Sequence, residues 1–219
     1  MIASYPIGFD QYEYALAFDK DRAARLLIVP ALFEEASRMR RLTVEVMRRL
    51  DLAGIDCFLP DLPGCGESLA ALETQTLSGW RIAIESAARH FCATHVFMVR
   101  GGGLLVPHWL PGWRYASVKG SSLLRQMLRA RIIASRESGV SETQEELLAT
   151  GAGLELAGYR LGAEFIAEFQ LSEPQPSDKL SEIPQELIGG GGLWLRAEPD
   201  EDRHQADSLA AIIAVGIKS

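Results

Sequence analysis

Cysteine is scarce in this chain, and the few cysteines present have no metal-binding or disulfide pattern. The 219 residues include only Cys57, Cys65 and Cys92. Their number is odd and no pair has C-x-x-C spacing, which argues against a disulfide framework and a zinc site. We therefore expect a protein of the reducing cytoplasm that holds neither a metal nor a cofactor.

Basic residues are fewer than acidic residues in this chain, and long apolar runs are absent. Lysine and arginine total 22 against 29 aspartates and glutamates, so the net charge is −7. This balance argues against a nucleic-acid binder, which usually carries a basic face. No uncharged apolar stretch approaches the roughly 20 residues that span a bilayer. The N-terminus also lacks the basic start and apolar stretch of a signal peptide.

Short apolar runs and helical periodicity alternate through the first half of the chain. Strands are predicted at residues 25–30, 55–59 and 96–99. Amphipathic helices are predicted between them, at 34–52 and 77–91. This alternation predicts a parallel sheet built by right-handed crossovers, with helices on both faces.

The second half of the chain gives a less regular pattern. It predicts helices at 122–135, 142–150, 163–169 and 204–216, and strands at 115–118, 153–159 and 193–196. The length fits one α/β domain over residues 1–219. We expect a small helical insertion within it, around residues 119–170.

The most informative segment follows the third predicted strand. Residues 96–103 read VFMVRGGG, and an apolar, helix-like run begins at Leu104. This is the strand–turn–helix outline of an α/β-hydrolase nucleophile elbow, normally G-x-S-x-G. No serine or cysteine lies between His95 and Val106, so Arg100 or a glycine stands at the tip. The pattern predicts an α/β-hydrolase-like fold, a mostly parallel sheet flanked by helices, without its usual nucleophile.

The glycines after Arg100 also allow a different interpretation, a phosphate-binding loop. The full G-x-G-x-x-G pattern is absent, because residues 104–108 contain no glycine. A glycine-rich turn that leads into a helix still offers backbone N–H groups to a small anion.

Arg100 is the residue that we single out at this elbow. Glu34 and Glu35 begin the helix after the first predicted strand, in the loop that normally helps form the oxyanion hole. Because an unpaired buried arginine is costly, we expect an ion pair with one of these glutamates. A binding role for a small acidic ligand is compatible with that pair. The candidate pocket therefore contains Phe33, Glu34, Glu35, Arg100, Gly101, Gly102 and Glu198.

A Ser-His-Asp triad requires a histidine near the end of the chain. His204 is the only candidate by order, but it stands at the predicted start of the last helix, where histidine is usually solvated. Glu198 is an alternative polar group beside the predicted final strand.

Residues 61–68 read DLPGCGES and match the D-x-x-G-x-G-x-S loop of many α/β-hydrolases. Its glycines allow positive φ angles, and its aspartate can accept backbone hydrogen bonds. Cys65 or Ser68 could serve as a nucleophile. A turn role for Cys65 is favoured, because no nearby histidine is evident to form a thiolate.

Several segments together resemble a known family. They are residues 30–41, 61–68, Arg100 with its glycines, 122–133, 154–159 and 193–198. In this order they resemble the second hydrolase-like protein associated with the exosortase A system of Gram-negative bacteria. The resemblance implies an α/β-hydrolase fold, and it implies that an arginine in the serine's place is typical of the group.

The chain departs from that family pattern at three places. Glu67 replaces the usual aspartate, Pro107 and Pro111 interrupt the helix after the elbow, and residues 172–192, where the triad acid should lie, are compressed. Two functions follow. Either the chain is enzyme-like and binds an acidic ligand at Arg100, or it is a non-catalytic scaffold whose site is filled by Trp109 or Trp113.

Overall fold

The computed structural model describes residues 1–218, and a seven-stranded sheet forms its centre. The strand order is β1-β2-β4-β3-β5-β6-β9. The first two pairings, β1 with β2 and β2 with β4, are antiparallel, and the remaining four are parallel. The strands of this sheet are β1 Ile2–Gly8, β2 Gln11–Phe18, β3 Arg25–Val29, β4 Asp56–Pro60, β5 His95–Val99, β6 Gly112–Tyr115 and β9 Leu180–Ile183. The predicted mostly parallel sheet is thus confirmed.

Helices cover both faces of the sheet. Their bounds are α1 Glu34–Leu52, α2 Leu77–His90, α3 Gly120–Glu137, α4 Gln144–Ala149, α5 Ala163–Leu171, α6 Gln185–Ile188 and α7 Arg203–Lys218. Buried side chains of α1 and α7 share one hydrophobic cluster, and those of α2, α3 and α5 share the other. Within residues 1–218, no helix is both long enough and apolar enough to cross a membrane.

The central strand β3 shows why the sheet is buried on both faces. Leu26 and Ile28 belong to the cluster on the α1 side, whereas Leu27 and Val29 belong to the cluster on the α2 side. Side chains alternate across a strand, so a continuous apolar run supplies both cores.

Residues 120–171, between β6 and β9, contribute to the α2 side of the sheet. They contain α3, α4 and α5 together with a hairpin, β7 Leu154–Leu156 and β8 Tyr159–Leu161. Phe165 and Phe169 of α5 each make an edge-on ring contact with Phe33, which follows β3, and a tilted contact with each other. This segment therefore completes the hydrophobic core beside the end of β3.

Several predicted elements differ in the structure. The predicted final strand at 193–196 is wrong: Leu193–Leu195 is a 3₁₀ helix, whose Leu193 is buried against the α1 side rather than paired at the sheet edge. The strand predicted at 115–118 lies earlier, at Gly112–Tyr115. The single strand predicted at 153–159 is a hairpin.

The chain after the elbow also differs from the sequence prediction. The predicted helix-like run does not form, because a 3₁₀ turn, Arg100–Leu104, ends shortly before Pro107. Proline restricts the residue before it and cannot supply a helical N–H group, which ends regular structure there. The edge strands β1 and β9 were not predicted at all.

Candidate functional site

The turn after β5 has the backbone geometry of an elbow, with Arg100 at its tip. Arg100 has a φ of 53°, in the left-handed region that non-glycine residues rarely occupy. A Cβ atom at Gly102 would lie 2.5 Å from the carbonyl oxygen of Pro30 and 2.7 Å from that of Val29. Only glycine permits this close approach of the elbow to the end of β3. The arginine thus occupies the strained position that the nucleophile takes in an α/β-hydrolase.

The guanidinium of Arg100 is held from three directions. Its Nε donates to Oε2 of Glu35 at 3.0 Å and its Nη2 to Oε1 at 2.9 Å, which is a bidentate ion pair. Its Nη1 donates to the backbone oxygen of Ala116 at 2.8 Å. The ring of Trp194 lies 4.1 Å from the guanidinium carbon, at cation–π distance.

Both side chains of this ion pair are largely shielded from solvent. The side chains of Arg100 and Glu35 are 12% and 4% exposed. Buried charges of this kind are stable only when paired and hydrogen-bonded, and here each charge neutralises the other. The elbow therefore presents neither a nucleophile nor a free positive charge.

Three other residues of the predicted pocket, Gly101, Phe33 and Glu34, make contacts of their own. Gly101 is packed against Leu32 and Leu123 directly beside the elbow. Phe33 is buried among aromatic rings, and Glu34 pairs with Arg38 at 2.9 Å instead of with Arg100.

Glu198 and His204 are not part of the elbow site. Glu198 is exposed beyond the 3₁₀ helix, and His204 is exposed in the first turn of α7. Among residues 1–218, no histidine is hydrogen-bonded to Arg100, Cys65 or Ser68; the imidazole of His95 instead contacts Thr94 and stacks on Trp113. The structure therefore does not assemble the partners of a triad here.

The tryptophan that covers the elbow is not one of those expected. Trp109 is partly exposed and lies over the guanidinium of Arg89, and Trp113 stacks on His95. Trp194 covers Arg100 instead. Sequence reasoning missed this role, although Trp194 stands just after a run of four glycines that lets the chain turn back toward the sheet.

The DLPGCGES loop is held by an internal hydrogen-bond network. The hydroxyl of Ser68 accepts from the backbone N–H groups of Gly64 and Ala70 and donates to Oε1 of Glu13 at 2.7 Å. The carboxylate of Asp61 accepts from the N–H of Glu67 at 3.2 Å. Ser68 is therefore committed to the turn and is not positioned as a nucleophile.

Burial raises the pKa of three titratable groups around this loop. Burial raises the pKa of the Cys65 thiol to about 12, and the nearby carboxylates of Asp61 and Glu13 act in the same direction. Burial also raises the pKa of Asp61 and of Glu13. Because the thiolate is the reactive form of cysteine, Cys65 is inert near neutral pH.

A cavity of about 340 Å³ lies beside the elbow, at the ends of β3 and β4. Phe33, Leu62 and Trp80 form its apolar walls together with Tyr159 of the hairpin, and Arg40 stands among its polar lining residues. Arg100 does not line it. A smaller cleft of about 190 Å³ adjoins Glu34 and Glu35 on the α3 side. In the described chain, no three His, Cys, Asp or Glu side chains are grouped to hold a metal ion.

Comparison with known proteins shows which known fold this architecture matches. No protein-family model matches the sequence, and no curated protein matches it. Among solved structures, alpha/beta hydrolase domain-containing protein 10 from mouse aligns with a TM-score of 0.62 at 14% identity, over 100% of this chain and 98% of that chain. The chain adopts the α/β-hydrolase fold.

A second similar structure is Est1E from Butyrivibrio proteoclasticus. It aligns with a TM-score of 0.53 at 13% identity, over 99% of this chain and 96% of that chain. The same protein with ferulic acid bound aligns with a TM-score of 0.51 at 15% identity, over 94% and 93%. At these identities the likeness concerns the fold alone, since function is decided by the residues of a site.

Proposed function

We propose that this protein is a ligand-binding protein on an α/β-hydrolase fold that forms no acyl-enzyme. The bidentate ion pair between Arg100 and Glu35 carries this proposal. It occupies the place where an acyl-transfer enzyme needs a nucleophile with a base in hydrogen-bond reach. A guanidinium cannot act as that nucleophile, because it does not lose its proton in proteins.

Neither alternative nucleophile supports hydrolysis. The hydroxyl of Ser68 accepts two backbone N–H groups of its own turn and donates to Glu13, and the thiol of Cys65 is protonated near neutral pH. Covalent catalysis needs an activated oxygen or sulfur atom. The chemistry of this loop therefore favours binding over turnover.

We also propose that the chain belongs to the exosortase A-associated group of hydrolase-like proteins and resides in the cytoplasm. What supports the first is the ordered set of motifs at residues 30–41, 61–68, 100–103 and 154–159. Fractionation of cells that carry a tagged chain tests the second, with a cytoplasmic enzyme and a membrane protein as markers. Recovery with the membrane marker contradicts a cytoplasmic location.

The expected acidic ligand does not fit Arg100 well. Glu35 already accepts two of the N–H groups of that arginine, and an incoming anion would face the negative charge of Glu35 at close range. The observations favour a binding site elsewhere on the protein.

The experiment is a search for covalent turnover. The folded protein is treated with a fluorophosphonate probe and, separately, with p-nitrophenyl butyrate, beside the Arg100→Ala variant and a heat-denatured sample. We expect labelling and hydrolysis at the level of the denatured sample for both proteins. Labelling or esterase activity of the folded wild type above the level of the denatured sample would overturn the proposal.

A further inference from the structure

A second depression adjoins the apolar cavity described above. This arginine groove has a volume of about 770 Å³ and runs along the exposed side of α1 to the start of α7. Ser37 and Arg40 line both the cavity and the groove. The two spaces are therefore neighbours along one face of α1, and neither includes Arg100.

The arginine groove has a surplus of positive charge in a protein of net charge −7. Five arginines and two glutamates line it: Arg40, Arg41, Arg48, Arg49, Arg203, Glu45 and Glu201. Glu201 pairs with Arg41 at 2.9 Å, and Glu45 pairs with Arg48 and with Arg49, which also pairs with Asp207 of α7. Local charge of one sign in a groove concentrates ligands of the opposite sign.

Arg40 stands where the two spaces meet. Its side chain is 52% exposed, and its nearest carboxylate oxygen, on Asp61, is 3.7 Å away. Arg40 and Asp61 thus form an ion pair without a hydrogen bond, so the N–H groups of Arg40 remain available to a ligand. A planar guanidinium with free donors matches a phosphate or carboxylate group.

The cavity supplies the other half of a binding site. Phe33 and Trp80 are buried, with their rings in contact, and Leu62 lies beside them in the lining. A volume of about 340 Å³ falls within the range of about 300–1,000 Å³ that small-molecule sites have. An apolar group that fills this space loses its contact with water, which favours binding.

We propose that the cavity and the groove together bind an amphipathic anion, a molecule with an apolar chain and one phosphate or carboxylate head. The chain lies against Phe33 and Trp80, and the head lies on Arg40 and the groove. Asp61 and Glu67 also line the cavity, and their charge directs an anionic head outward to the arginines. This inference deepens the proposed binding function and is independent of Arg100.

The test is titration calorimetry with three probes: n-octyl phosphate, 1-octanol and inorganic phosphate. The first combines chain and head, and each of the others has one part alone. We expect n-octyl phosphate to bind at least about tenfold more tightly than either, because both halves of the site contribute. Equal affinity for 1-octanol, equal affinity for inorganic phosphate, or no binding of n-octyl phosphate would each overturn the proposal.

Two variants locate the binding. Arg40→Gln removes the shared charge from an exposed position and should weaken n-octyl phosphate about tenfold, as expected for one charge-assisted contact. Ala36→Phe places a ring in the apolar cavity and should abolish binding. Arg125→Gln, at an exposed site on α3, is the matched control and should bind like the wild type. Unchanged affinity in folded Arg40→Gln would contradict the assignment.

Two further measurements separate the remaining outcomes. Pelleting with phosphatidylglycerol vesicles identifies the source of the head group. Capture of the protein by the vesicles that Arg40→Gln prevents supports the site and assigns its ligand to membrane lipid. Binding of n-octyl phosphate without pelleting supports the site and assigns its ligand to a free molecule. Assay of p-nitrophenyl octanoate keeps the two proposals distinct. Its hydrolysis would overturn the proposed function and leave the binding result unchanged.

Discussion

The elbow after β5 and the loop after β4 lie at the same edge of the sheet but differ in how their side chains are packed. At the elbow, Arg100 and Glu35 satisfy each other, and Trp194 covers them. Around the DLPGCGES loop, Ser68 and Asp61 accept backbone N–H groups, but a cavity of about 340 Å³ remains beside Arg40. The fold provides both places, and side chains decide which one can accept a ligand.

The two arginines also differ in burial, since the side chain of Arg100 is 12% exposed and that of Arg40 is 52% exposed. The ion pair at the elbow joins Arg100, at the tip of a strained turn, to Glu35 of α1. The cavity, by contrast, keeps an arginine with available donors next to apolar surface.

The largest expected effect comes from breaking the ion pair at the elbow. Arg100→Ala leaves the carboxylate of Glu35 buried without its partner and should lower the free energy of unfolding by about 3 kcal/mol. Urea unfolding measures the loss. Arg160→Ala, which removes the exposed pair with Glu155 at 3.4 Å, is the control and should cost less than about 1 kcal/mol.

A double variant sharpens this result. Arg100→Ala combined with Glu35→Ala should cost less than the sum of the two single changes, because no orphan charge remains. Strict additivity, or an unchanged midpoint for Arg100→Ala, would show that the pair does not stabilise the elbow.

The next effect concerns the backbone beneath Arg100. Gly102→Ala introduces a Cβ atom against the carbonyl oxygens of Pro30 and Val29. We expect destabilisation of about 2 kcal/mol by urea unfolding, since backbone cannot move aside easily. Gly191→Ala, where the new atom meets nothing within 4 Å, should change stability by less than about 0.5 kcal/mol. Equal effects of the two changes would contradict the close packing.

A smaller effect probes the loop beside the cavity. Burial raises the pKa of Asp61 above its usual 3.8, so the folded protein keeps this proton at a higher pH than the unfolded chain. The contribution of Asp61 to stability therefore increases as the pH falls from 7 toward 4, and is lost as the pH rises through the raised pKa. The difference in urea midpoint between wild type and Asp61→Asn should follow this direction.

Other carboxylates act in the opposite sense, which makes the difference measurement necessary. Arg131 and Ser135 lower the pKa of Glu142 to about 2, so its stabilising contribution is lost only as the pH falls well below 4.5. That contribution is present in both proteins and cancels. A difference that is independent of pH would show that Asp61 titrates normally.

The smallest change tests the thiols without altering the fold. Cys65 has a pKa of about 12, and Cys92 is exposed. At pH 7.5 we expect a disulfide reagent to modify Cys92 first, and Cys92→Ser to remove the rapid phase. Rapid modification of Cys65 in Cys92→Ser would reopen its candidacy as a nucleophile.

Prediction from sequence succeeded where the pattern is local. The apolar runs of β3, β4 and β5 and the periodicity of α1 and α2 indicate their own structures, and the glycines after Arg100 indicate a sharp turn. The strands β1 and β9 escaped prediction, because they are half-buried edge strands without a strong apolar run. Edge pairing depends on the neighbouring strand more than on local preference.

The sequence by itself determined the fold class and the absence of serine and cysteine from the turn after β5, and it predicted an acidic partner for Arg100. Only the tertiary structure decided that Glu35 is that partner, that Trp194 covers the pair, and that the open cavity lies beside Arg40. The reason is physical. Local propensity and periodicity act over a few residues. The contacts of Arg100 with Glu35 and with Trp194 join residues that are 65 and 94 positions apart. Only packing of the whole core brings such residues together.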